Sequence, residues 1–382
     1  MENKMSSSTD QAGIGSNELR PSHDSLLDLF SKKIQLMIPD EYWRGIFRSS
    51  SFLLIVLLLA ACSSPATAMP PAMSTSTSTS IATPTATVVA PTQILPSITP
   101  LPDPTPQPTP TETPGPAMGS TRVIETDKMV QVYVPAGDFI MGSDDKDAKK
   151  SLEGGRAYPE IPMSTIYLDG YWIDKYEITN SQYALCVDGG VCKPPYRKDS
   201  MTRPKYFGNP EFSNYPVIWV NWSMALAYCD WAGRKLPSEA EWEKAARGTD
   251  ARRFPWGNDP LDGTRANFCD INCPLSVANP GYNDGYADTA PVGSYPAGAS
   301  PYGALDMAGN VWEWTSTLVR PYPYNPNDGR EILQTNPNVD GERVWRGGAW
   351  SNGYWWMHAA LRYRSKDWYW YMVLGFRCSS IK

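Results

Sequence analysis

Seven cysteines and two histidines carry most of the chemistry available to this 382-residue chain. A thiolate can attack carbon, hold a soft metal or pair into a disulfide, and an imidazole can move protons or ligate. The histidine supply is thin. His23 lies in a segment expected to be removed, which leaves His358. That scarcity excludes nearly every His-based metal site, including the two-His, one-carboxylate iron triad. His358 could serve as a lone general base, but no paired nucleophile accompanies it; a satisfied core or surface histidine is the plainer reading. The cysteines divide differently. Cys62 ends an apolar run, while Cys186, Cys192, Cys229, Cys269, Cys273 and Cys378 form an even set in a chain that reads as exported, the pattern of three disulfides. Six cysteines allow fifteen pairings. Cys186 and Cys192 flank VDGGV, a Gly-rich turn, and Cys269 and Cys273 flank DIN, so both pairs could close locally. A zinc cluster, the competing use, needs four close thiolates.

Binding chemistry concentrates near the C-terminus. Residues 347–378 read GGAWSNGYWWMHAALRYRSKDWYWYMVLGFRC and include ten aromatics. Successive side chains alternate in an extended chain, so some of these rings must pack inward and others outward. Trp350, Tyr354, Trp355, Trp356, Trp368 and Trp370, with Tyr369 and Tyr371 beside them, are the candidates for a ligand face. Arg362 and Arg364 stand between the two aromatic runs. Exposed rings beside arginine suit stacking on sugars, peptides or other planar groups; the alternative is that the rings cover a loop-rich core. Gly347, Gly348 and the Gly375-Phe376-Arg377 end are read as setting backbone geometry.

Such residues need a scaffold, and the composition allows one. The chain is 41% hydrophobic and 19% charged, with net charge −6, 15 Trp and 21 Tyr. Mild acidity without a Lys/Arg-rich run argues against nucleic acid as a partner. QVYVPAGDFIMGS has the alternation of an opening strand and a Gly-containing turn, and STIYLDGYWIDKYEIT reads as further short strands. WSMALAYCDWAG has helical spacing, with Ala225, Cys229 and Trp231-Ala232 on one side and Gly233 as its stop. In LPSEAEWEKAARG, Ser238 is an N-cap, Glu241 completes a capping box and Gly248 ends the helix. Long ordered loops and short strands are expected beyond that point, with no fixed-period repeat.

The N-terminal third has another character. SFLLIVLLLAAC, residues 51–62, holds an apolar run of about ten residues, too short for a stable helix across roughly 30 Å of bilayer. Preceded by Arg44 and Arg48, it suits a signal-peptide core. Leu59-Ala60-Ala61-Cys62 resembles a bacterial lipobox, which would make Cys62 lipidated and the mature N-terminus. Residues 1–62 are thus the expected leader, with Met37 a possible true start. Residues 63–121, rich in Ser, Thr and Pro, cannot bury enough apolar surface to order themselves and read as a stalk. Residues 122–382 read as one domain.

Several blocks of that domain are diagnostic: VPAGDFIMGS, YEITNSQYALC, PVIWVNWSMALAYCDWAGRKLPSEAEWEKAARG, RFPWGN, DTAPVGSYP, GALDMAGNVWEW, RVWRGGAW and GFRC. In this order they resemble the sulfatase-modifying factor family, whose founding members are formylglycine-generating enzymes, and they cover essentially all of 130–378. The resemblance implies an α+β fold, the family's variant of the C-type-lectin-like fold, with a small antiparallel sheet, two helices and many ordered loops. It also implies a Cys229–Cys378 disulfide, since the family's best-known members bridge the AYC and GFRC positions. Formylglycine-generating enzymes bind copper(I) through two cysteines after a GGS-aromatic motif, and soft sulfur suits that ion. The matching positions fall near Asn352 and near Trp356 or Met357. Neither is Cys, so no copper and no copper oxidase chemistry are expected.

The family's calcium sites map onto Asn267, Phe268, Asp284 and Tyr286, and onto Asp306, Met307, Gly309 and Val311. Side-chain and carbonyl oxygens of that kind suit calcium, so the resemblance implies structural calcium; the alternative is that NDGY and DMAGN are only turns. Lectin-like relatives display ligand contacts from the segment between GGAW and GFRC. The leading expectation is therefore an extracytoplasmic protein, lipid-anchored to a bacterial membrane or cell surface, that binds a peptide, glycan or envelope protein through its aromatic segment. The runners-up are a divergent family enzyme, a protein-modifying oxidase or a metal-dependent oxidoreductase working with a partner, and a structural role at the envelope.

Overall fold

The structure is a computed structural model that describes residues 115–144, 159–333 and 341–381. The expected leader, Cys62, His23 and nearly all of the expected stalk lie outside the described residues. Among the described residues no helix is long and apolar enough to cross a membrane.

Among the described residues, ten short strands and three α-helices build the α+β domain. Strands β1 (Thr121–Val123), β2 (Val130–Val134), β5 (Tyr171–Asp174) and β10 (Ser379–Ser380) form one antiparallel sheet in the order β1-β2-β5-β10. Between β2 and β5, β3 (Gly137–Met141) and β4 (Ser164–Leu168) pair as an antiparallel two-stranded sheet. The third sheet runs β8-β7-β6-β9, from β6 (Trp312–Leu318), β7 (Glu342–Arg346), β8 (Tyr363–Lys366) and β9 (Leu374–Gly375), with only β9 parallel to its neighbour. Of the segments read as short strands, 131–143 holds β3 and nearly all of β2, and 164–179 holds β4 and β5, while residues 175–179 lie outside the named strands.

Helix α2 (Trp222–Trp231) is capped by Asn221, and α3 (Glu239–Arg247) by Ser238 and Glu241 in the expected reciprocal box. A third helix, α1 (Asn180–Asp188), corrects the expectation of two. Its signal was legible: Thr179 and Gln182 form a T-x-x-Q capping box, an arrangement that satisfies two orphan N–H groups. The helix is short and buries only Asn180, Tyr183 and Cys186, so apolar periodicity does not mark it.

All three expected disulfides are present, Cys186–Cys192, Cys229–Cys378 and Cys269–Cys273. The Cys229–Cys378 bridge joins α2 to the chain just before β10. The core also carries buried ion pairs. Arg346 reaches Glu243 of α3 at 2.5 Å, Arg362 reaches Glu239 at 2.5 Å, and Arg377 grips Glu313 of β6 through two bonds of 2.6 and 2.7 Å. Breaking one partner of such a pair strands a buried charge, so these arginines fix where α3 sits against β6 and β7.

Candidate functional site

Two glycines bring the aromatic segment onto the third sheet. Gly347 and Gly348 follow β7 with φ of 99° and 78°, a region that L side chains avoid. A Cβ on Gly348 would also sit 2.6 Å from the carbonyl oxygen of Trp356. Close approach at this point lets the 3-10 turn Tyr354–Met357 fold back against the sheet.

The result is a cleft of about 340 Å³ over the β6-β7-β8 face. Trp312 and Trp345 form its floor, and Trp356, Tyr363, Tyr369 and Tyr371 its walls. Trp345 stacks on Tyr369 with centroids 5.7 Å apart and meets Tyr363 at 5.2 Å. Polar groups are few. Arg364 pairs with Glu342 at 2.6 Å, and Ser351, Asn352 and Ser365 line the remainder. Trp345 keeps a buried Nε1–H with no hydrogen-bond partner, a condition that calls for a specific reason.

The sequence-derived candidates scatter. Trp356 and Arg364 line the cleft, but Trp350 and Arg362 do not face a ligand. Trp350 is 2% exposed and Arg362 fully buried against Glu239; both are corrected to core residues. Alternation shows that neighbouring side chains oppose each other, not which of the two faces in. Trp368 is 63% exposed and Trp355 51% exposed, and neither lines the cleft. Trp355 and Tyr354 belong to a separate cluster around Arg253 and Phe254. Trp370 stacks on Tyr196 at 4.9 Å. His358 is buried in the cluster of Phe254, Tyr354 and Trp355, accepting a 2.8 Å bond from Arg253 Nε at its Nε2, which is a satisfied core histidine. The cleft residues that sequence reading missed, Trp312, Trp345 and Tyr363, come from β6, β7 and β8. Their signal was the alternation in VWEW, RVWR and RYRS, which needs the sheet order before it points anywhere.

At the two positions compared with copper ligands, Asn352 accepts hydrogen bonds from Trp312 Nε1 at 2.8 Å and from the Ala349 amide at 3.1 Å, and Met357 is fully buried. All six cysteines between residues 115 and 381 are disulfide-bonded.

The positions read as calcium ligands gather in one buried region. Asn267 Oδ1 is buried without a partner. Asp284 accepts the amides of Phe268 at 2.8 Å and Tyr286 at 2.9 Å, and burial, with Asp270 beside it, pushes its carboxyl up to about 7. The loop of Asp306, Met307, Gly309 and Val311 packs directly on this region. A Cβ on Gly309 would lie 2.2 Å from the Asn267 carbonyl oxygen, so only glycine fits. Asp306, with φ 56°, accepts the Gly293 amide at 2.6 Å, and burial raises its carboxyl to about 6. Glu177, fully buried, accepts the amide of Val311 at 3.0 Å and is shifted upward by burial and by Asp306 and Glu313. Among the described residues no group of three or more His, Cys, Asp or Glu side chains is placed to hold a metal. Any cation here must draw on amide and carbonyl oxygens as well, which is calcium chemistry. The orphaned amide oxygen and the buried carboxylates fit such an ion.

Fold and site together define a member of a known class. Residues 117–380 match the family model described as the sulfatase-modifying factor enzyme 1-like domain, and the chain belongs to this family. It is 34% identical over 224 residues to the formylglycine-generating enzyme of Mus musculus, covering 48% of this chain and 57% of that protein. It is 33% identical over 251 residues to the hercynine oxygenase of Mycolicibacterium smegmatis, covering 58% of this chain and 54% of that one. The chain thus spans little more than half the length of these two relatives. Among solved structures, PvdO from Pseudomonas aeruginosa superposes with a TM-score of 0.54 at 24% identity, covering 70% of this chain and all of PvdO; this likeness concerns the fold.

Proposed function

We propose that this protein is a binding module built on the formylglycine-generating scaffold, held at a bacterial surface by lipid on Cys62, with calcium as structural support and no copper centre. The observation that carries the reading is the fate of sulfur. Every cysteine of residues 115–381 is cross-linked, and the residues at the compared positions are a hydrogen-bonded Asn352 and a buried Met357. What remains at the surface is an aromatic cleft with one internally neutralised ion pair, equipped for holding a ligand rather than for activating oxygen. Asn267, Asp284 and Asp306 would supply side-chain oxygens to calcium, with Phe268, Tyr286, Met307, Gly309 and Val311 offering carbonyls. The ion would neutralise Asp284, whose buried carboxyl is surrounded by backbone amides and by the like-charged Asp270.

The similarity to hercynine oxygenase favours a second reading, an oxygenase. In that case the metal would need ligands from a partner protein, because His358 is the sole imidazole between residues 115 and 381 and its Nε2 is engaged by Arg253. Metal and mass analysis of protein isolated from its host membranes tests both. The binding reading expects calcium, no stoichiometric copper or iron, and an acylated Cys62; a full equivalent of either transition metal overturns it.

A further inference from the structure

The aromatic cleft does not end at its own walls. Ring contacts run from Trp356 to Trp312 (6.1 Å), Tyr363 (5.5 Å), Trp345 (5.2 Å) and Tyr369 (5.7 Å), and on to Tyr371 at 6.0 Å. Tyr371 meets Trp219 at 6.1 Å, Trp219 meets Trp370 at 5.5 Å, and Trp370 stacks on the exposed Tyr196. Trp219 holds φ at 63°, a costly conformation for a bulky residue and one that persists only where the surroundings enforce it. Its backbone N–H donates to the Tyr371 carbonyl at 3.2 Å and its Nε1–H to the Asp199 carbonyl at 2.6 Å. The strained residue is itself only 5% exposed; it lies beneath the half-buried Tyr371 and Trp370 and holds those two rings side by side between the cleft and Tyr196.

We infer that the cleft and these outer rings form one track for an extended, uncharged polysaccharide. This inference rests on the binding reading above and names its ligand. A small molecule would fill the 340 Å³ cleft and leave the Trp370–Tyr196 end without a use. Charge sets the ligand's character: Arg364 is neutralised by Glu342, so the cleft offers neither a net cation nor a net anion. Its remaining polar groups are the amide of Asn352 and the hydroxyls of Ser351 and Ser365. Hydroxyls both donate and accept, and so match this mixed set. A β-1,4-linked glucan carries its substituents equatorially, so each sugar presents a flat C–H face to an aromatic ring and its hydroxyl edge to the polar groups.

The test is calorimetric titration of the full chain with cello- and chito-oligosaccharides of two to six units, alongside a neutral Pro-rich dodecapeptide. Affinity is expected to rise with length. Tyr369→Ala should weaken every length by roughly tenfold or more, as for an aromatic anchor. Tyr196→Ala, at an exposed position, should weaken the hexamers and leave the dimers, which report that the fold survives, unchanged, and Trp368→Ala should change nothing. Length-independent binding, or hexamer binding indifferent to Tyr196→Ala, overturns the track. Peptide binding that requires Tyr369, with no sugar bound, leaves the binding reading standing and removes the polysaccharide. Binding of neither removes both.

Discussion

Glu160 shows how a single buried side chain can set the pH response of this domain. Burial pushes its carboxyl up to about 7, partly opposed by the charges of Arg346, Arg247 and Arg362. In the unfolded chain the same group ionises near the usual glutamate value. Stability associated with the neutral acid is therefore fully present below that value and is lost as pH rises toward 7. The loss amounts to about 3 kcal/mol. Urea unfolding at pH 5 and pH 8 should show Glu160→Gln closing much of that difference, chiefly by gaining stability at pH 8; an unchanged gap removes Glu160 as its source. Nothing in the sequence marks this residue, because its burial depends on Arg346 and Arg362 arriving from more than 180 positions away. Trp350 and Arg362 were unreadable for the same reason. Arg362 appears in sequence as an exposed cation between aromatic runs, and only the placement of Glu239 on α3 converts it into a core ion pair.

Among the elements, the short local signals translated well. The boxes at Ser238 and Thr179 are written in four residues each, and the Cys186–Cys192 and Cys269–Cys273 bridges close over the turns between them. The α+β class followed from such pieces together with the family blocks. Strand order did not, since β6 takes β9 as a parallel neighbour across the 55 intervening residues 319–373, and with that order went the cleft floor. The Cys229–Cys378 bridge is the long-range tie among these elements, with a sequence separation of 149. Chain entropy assigns a loop of that length about 5 kcal/mol. Replacing both cysteines by alanine should lower unfolding free energy by about 4–5 kcal/mol in urea titrations; a loss under 1 kcal/mol would mean that β10 and α2 are held together by other contacts.

At the scale of the whole molecule, the proposal is a family scaffold without the oxidase sulfur pair and with calcium held by loop oxygens. Loops rich in glycine, proline and asparagine occupy most of 248–311, and the buried Asn267, Asp284 and Asp306 lie within them. Calcium binding to the native state should raise Tm in proportion to the logarithm of free calcium, and magnesium, which demands tighter octahedral geometry, should do so less. A Tm indifferent to calcium after exhaustive chelation would reduce these loops to turns held by their own hydrogen bonds. The most direct test of the central claim is incubation of the oxidised protein with a sulfatase-type cysteine peptide, copper and oxygen, followed by mass spectrometry of the peptide. The account predicts that its cysteine is recovered unconverted. Formylglycine in the product would contradict it.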